Sequence, residues 1–188
     1  MSLRRFRSAL SYSLLAPAAL VAPAPVFAVD YLTAEQADRL IFPSADRFEV
    51  KDLSLEEAER QALETRLGIP VRDRWPLRLA RQGDRYLGAV AVDDVIGRFE
   101  RITFAVGVGA DGAVAQVEVL SYRESHGYEV RLPAWRKQFV GKTAASPLRV
   151  GEDISNISGA TLSCKHLTLG VRRILAVVQA LQASGALP

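Results

Sequence analysis

Two periodicities divide this chain. Between Gly159 and Ala183 the apolar positions Leu167, Val171, Ile174, Val178 and Leu181 step by four, three, four and three, which makes one buried stripe on a helix. Ser158 is the expected N-cap, and Ser184-Gly185 ends the helix. Upstream the period is two. Glu100 to Val108 places Ile102, Phe104, Val106 and Val108 on one side, and Ala113 to Tyr122 alternates Ala115, Val117 and Val119 with Gln116 and Glu118. Gly109-Ala110-Asp111-Gly112 turns the chain between them, and Tyr86 to Val92 predicts a further strand, interrupted near Asp93-Asp94 and Gly97. Pro133 opens a short helix carrying Trp135 and Phe139 on one face and ending at Gly141-Lys142.

From Val29 to about Pro70 the pattern is polar and helical. Thr33-Ala34-Glu35-Gln36 and Ser54-Leu55-Glu56-Glu57 both read as capping boxes; the first helix stops before Pro43, the second at Gly68. The expected architecture is α+β: a bent antiparallel sheet packed against a C-terminal helix, with a helical N-terminal accessory segment.

The first 28 residues are set apart. Arg4, Arg5 and Arg7 precede an apolar stretch from Leu14 that ends at Val26-Phe27-Ala28, the layout of a secretory signal peptide cleaved after Ala28. Pro17, Pro23 and Pro25 interrupt it, which argues against a membrane span. The expected organisation is therefore a signal peptide over 1–28, a helical segment over 29–76 and one ligand-binding domain over 77–188, in an exported, periplasmic protein that can associate with the outer face of the cytoplasmic membrane. Removing residues 1–28 takes away three of 24 basic residues and none of 21 acidic ones, which leaves 21 of each. A formally neutral mature chain gives no reason to expect nucleic acid as a partner. Cys164 is the single cysteine, so no internal disulfide forms, and with only His126 and His166 beside it no metal site is expected.

Candidate chemistry gathers at the start of the long helix. Free N–H groups in a helix's first turn, and the positive end of its dipole, favour a phosphate there. Thr161 offers a hydroxyl that can carry a phosphate ester, Lys165 a cation one turn on, and Gly159 and Ala160 room for a large group. Thr161, Lys165, Thr168 and Arg172 fall on a second stripe at the edge of the buried one. The plainer reading also stands, in which Ser158 only caps the helix and Gly159 and Ala160 pack closely against a sheet.

Ser158-Gly159-Ala160-Thr161, followed by Leu162-Ser163, resembles the flavinylation motif of the FMN-binding domain family, which includes flavin-carrying extracytoplasmic subunits of Rnf-type and sodium-pumping NADH:quinone oxidoreductases. The resemblance runs from about Tyr86 to Ala183, through Phe104 to Val108, Asp111-Gly112, Glu124 to Tyr128, and Trp135 to Lys142. It implies FMN joined by a phosphoester to Thr161, put there by a separate flavin transferase that uses FAD and a divalent metal. It further implies a membrane redox protein or complex as electron donor or acceptor. Many members carry an Asp six residues before the modified threonine, where this chain has Ser155, with Asp153 two residues earlier.

The polar loop Arg123 to Glu129 is the segment expected beside the flavin ring, with Tyr128 able to stack and Glu124 able to bond the ring's polar edge. Trp135 is a core residue by default and a ring contact in the sharper reading. No Gly-x-Ser-x-Gly elbow occurs, and Gly107-Val108-Gly109 lies between strands rather than opening a helix, so neither a serine hydrolase nor a dinucleotide fold is expected. The chain reads as an electron carrier or redox subunit rather than a stand-alone enzyme, with no catalytic residue assigned. A non-covalent flavin module and a flavin-free envelope interaction or sensory domain remain as alternatives.

Overall fold

The computed structural model describes residues 29–188; the expected signal peptide, 1–28, lies outside them. Six strands form one antiparallel sheet: β1 (Val29–Asp30), β2 (Arg47–Ser54), β3 (Arg74–Gln82), β4 (Arg85–Ile96), β5 (Arg101–Gly109) and β6 (Val114–Tyr122). The spatial order is β1-β6-β5-β4-β3-β2, so five long strands form a meander and β1 adds two residues at one edge. Helix α1 (Ala34–Ile41) covers one face. Helices α2 (Glu57–Leu67), α3 (Pro133–Arg136) and α4 (Thr161–Ala183) lie on the other. The α+β expectation holds.

Both faces of the sheet are buried, which explains the nearly continuous apolar run of β5. Ile102, Phe104, Val106 and Val108 share a core with Leu167, Val171 and Ile174 of α4. Ala105 points the other way, into a smaller core with Ala37 and Ile41 of α1 and Leu120 of β6. Two glycines let the helices come this close. A Cβ on Gly107 would lie 2.0 Å from Cγ2 of Ile41, and one on Gly170 would lie 2.4 Å from Cζ of Phe104.

All five expected stripe residues of α4 are buried, together with Cys164, Leu175, Ala176 and Val177. The buried face is wider than one stripe because α2 packs alongside through Leu63. Burial also raises the Cys164 thiol pKa, as a small core residue would show.

Three sequence expectations are corrected. Strand β4 does not stop at Val92 but continues through Asp93-Asp94 to Ile96. The buried Asp93 is neutralised by Arg173 of α4, whose Nε and Nη2 lie 2.8 and 2.6 Å from Oδ2, so a charge in the strand does not end it. Residues Arg47–Ser54, inside the region read as helical, form edge strand β2, paired with β3 from Arg47↔Arg81 to Ser54↔Arg74. Its side chains are mostly exposed, so backbone pairing rather than apolar alternation defines it. Ser54 thereby ends a strand, and α2 starts at Glu57 with Glu56 at the cap and no side-chain cap bond. The Thr33 capping box does form, with Thr33 Oγ1 accepting from Gln36 N–H and Gln36 Oε1 accepting from Thr33 N–H. Strand β3 runs through residue 76, and β1 and β2 before it belong to the same sheet.

Candidate functional site

Three connections meet at the N-terminal end of α4 and enclose an open cleft of about 320 Å³. The β4–β5 loop contributes Arg98 and Phe99, the loop after β6 contributes Glu124, Ser125 and His126, and the helix start contributes Gly159 through Ser163.

Helix α4 begins at Thr161, two residues later than the Gly159 start expected from the sequence, and Ser158 is not its cap. A tight turn intervenes, in which Ala160 N–H bonds Ile157 C=O at 3.0 Å and Gly159 takes a left-handed φ of 82°. Ala160 becomes the N-cap, with no side-chain bond to the first turn. Cys164 N–H is the first to reach back, to Ala160 C=O at 2.9 Å, so the N–H groups of Thr161, Leu162 and Ser163 have no carbonyl within the helix to bond. The end of the helix therefore presents uncapped dipole charge at the cleft wall. Gly159 is needed for its conformation rather than for clearance, since an added Cβ would meet nothing within 4 Å. Close packing occurs instead at Gly127, where a Cβ would lie 2.3 Å from that of Ala160 and φ is 80°.

Thr161 is half-buried, and its Oγ1 accepts a 3.1 Å bond from Asn156 Nδ2. Glu124 lines the cleft, and its Oε1 accepts the N–H groups of Phe99 at 2.7 Å and Glu100 at 3.0 Å. His166, on α4, holds the same loop, with Nδ1 at 2.5 Å from Ile96 O and 3.1 Å from Gly97 O. Both acceptors are carbonyls, so Nδ1 carries the proton. Behind the cleft, Tyr122 OH donates to His126 C=O, and burial raises the phenol's pKa.

Thr161, Ala160, Gly159 and Glu124 thus come together at one cleft. Ser158 and Lys165 are exposed beside it, outside its lining, and Tyr128 is exposed in the turn Tyr128–Arg131. Trp135 is in the core, edge-on to Phe139 with ring centroids 5.2 Å apart, and its Nε1 donates to Ser155 C=O at 2.8 Å. On the second stripe of α4, at the edge of the packed face, Thr168 is buried and its Oγ1 donates to Cys164 C=O at 2.7 Å.

Of the cleft residues, Arg98 and Phe99 are missed by the sequence reading, while Ser125, His126, Leu162 and Ser163 lie in the loop and motif it names. The available signal was Phe99 between Arg98 and Glu100, an aromatic in a turn that neither strand pattern can bury. Asp153, near the position where related motifs carry an Asp, accepts from Arg149 N–H, Leu148 N–H and Lys142 Nζ and so shapes the preceding turn. Burial would raise its pKa, but the Arg149 bond, the Lys142 ammonium and the Leu148 bond together hold it below the usual carboxylate range.

A hydroxyl at an uncapped helix end, a guanidinium, an aromatic ring and several polar groups around one cleft fit a ligand with a phosphate and a flat ring system. The fold and cleft define a small α+β cofactor-binding domain with its site at the start of the C-terminal helix. Residues 97–176 match the family model for the FMN-binding domain, which supports an FMN-binding domain over this segment. The match takes in all three cleft segments. No curated protein matches the chain. Among the described residues, no group of three or more His, Cys, Asp or Glu is placed to hold a metal ion, and no helix is long and apolar enough to cross a membrane.

Proposed function

We propose that this chain is an exported electron-transfer protein carrying one FMN, joined through a phosphoester to Thr161 Oγ1 by a separate flavin transferase. The observation that carries this reading is the position of Thr161, whose hydroxyl sits on the first residue of α4 in the cleft wall. The Arg98 guanidinium and the uncapped helix end supply positive charge for a phosphate there. Asn156 steadies the Thr161 oxygen. When bound, the flavin supplies the redox chemistry; the chain holds it and sets its surroundings.

In the attachment step a bond forms between Thr161 Oγ1 and the FMN phosphorus of FAD. The pyrophosphate bond breaks, AMP leaves, and the hydroxyl proton is released. A membrane redox protein or complex would exchange electrons with the loaded chain outside the cytoplasm. The test is an intact mass under denaturing conditions, for wild type and Thr161→Ala, each produced with and without transferase. Wild type made with transferase should gain one FMN less one water, and the other samples should not. The same spectra should show loss of residues 1–28 on export. Unmodified mass throughout would overturn the ester; yellow colour lost on denaturation would then support a non-covalent flavin module, and no colour a flavin-free domain.

A further inference from the structure

Phe99 is 73% exposed, the largest exposure among the big apolar side chains of the described residues, yet its backbone is tied down. Glu124 reaches from the loop after β6 to accept the N–H groups of Phe99 and Glu100 on a single carboxylate oxygen. Gly97 makes room for that reach, since a Cβ there would lie 2.5 Å from Glu124 Oε1 and 3.1 Å from Ile102 Cδ1. On the other side His166 of α4 bonds Ile96 C=O and Gly97 C=O. A short loop between two strands is therefore held from β6 and from α4 together, with an aromatic ring exposed at the cleft. The guanidinium of Arg98 lies 4.8 Å from that ring's centroid. Holding an apolar ring rigidly in water has a cost, and a flat ligand ring in the cleft would offset it.

We propose that Phe99 is the chain's aromatic contact for the flavin ring and that Glu124 is the positioning residue that holds it there. This rests on the flavin reading above and deepens it. It also gives Glu124 a different role from the one expected from the sequence: its Oε1 organises the loop, while the ring contact comes from Phe99. The cleft favours a flavin over a protein partner as the occupant, because Phe99 and Thr161 line the same concave wall.

The test measures iodide quenching of flavin fluorescence in loaded protein, whether loaded by transferase or by saturating FMN in solution. Phe99→Ala should raise the quenching constant about fivefold as stacking is lost, and Phe99→Tyr should leave it near wild type. Glu124→Ala should reproduce Phe99→Ala, whereas Glu124→Gln, which keeps an acceptor oxygen for both N–H groups, should behave as wild type. Because Phe99 is exposed, its variants test the ring contact even if Glu124→Ala fails to fold. Unchanged quenching in Phe99→Ala overturns the proposal; if electron exchange with a redox partner then slows, Phe99 belongs to a docking surface instead. A chain that takes up no flavin by either route also overturns it. Non-covalent loading with the Phe99 effect would sink the Thr161 ester and keep this inference, and covalent loading without the effect would do the reverse.

Discussion

Asp38 shows how one residue sets a pH dependence. It is 3% exposed on the inner face of α1; Oδ2 lies 2.9 Å from Arg78 Nε, and Oδ1 has no partner. Burial dominates over the pull of Arg78 and raises its pKa from 3.8 to about 6. Because the folded value is the higher one, the stability Asp38 contributes is fully present below pH 3.8 and is lost as pH rises through about 6. Paired acids elsewhere, such as Glu49 beside Arg47, are shifted down and act in the opposite sense, so the comparison must be with Asp38→Asn. Urea unfolding of both proteins at pH 4 and pH 7 should show wild type losing up to about 3 kcal/mol relative to the variant between those values. A difference that does not change with pH would refute this.

At the scale of elements, each face of the sheet has a point of closest helix approach where a side chain is missing. Gly107 and Gly170 have ordinary backbone conformations, so space rather than φ is what they supply. Gly107→Ala should drive a methyl into Ile41 and lift α1, while Gly170→Ala should press α4 against the fully buried Phe104. Each is expected to cost about 1–3 kcal/mol in chemical denaturation. Gly170→Ala should also disturb the cleft, because α4 carries both Thr161 and the His166 contact. Gly159→Ala should act differently, straining a left-handed turn with no clash, so its effect should appear at the cleft more than in global stability.

Across the whole molecule, the bond network around Asp93 ties α4 to the sheet. Arg173 binds Asp93 and also donates to Asp94 C=O and Pro70 C=O, so one side chain joins helix, strand and the segment before β3. Arg72 stands 3.5 Å from the other Asp93 oxygen and over the Trp75 ring. Arg173→Met should leave Asp93 buried with one distant cation and destabilise the protein by about 3–5 kcal/mol. Adding Asp93→Asn should recover much of that loss, and calorimetry of the single and double variants would measure it; equal loss in both would mean the network is not the cause.

The amino-acid sequence by itself determined the elements whose period is imposed by burial. These are the α4 stripe, the alternation of β5, the Thr33 cap and the Gly68 stop, whereas a register shift in β6 turns Ala115 to the opposite face from Val117 and Val119. Local chemistry suffices there, because each pattern reports which side of one element meets a core. Only the tertiary structure decided the rest. Strand β2 exists through pairing with β3, Asp93 stays in its strand because Arg173 arrives from 80 residues away, and Ala160 rather than Ser158 starts the helix because a preceding turn places it there. The cleft also belongs to this second group. Arg98, Phe99 and His126 lie far from Thr161 in sequence, and only the folding of two strand connections against α4 brings them to one wall.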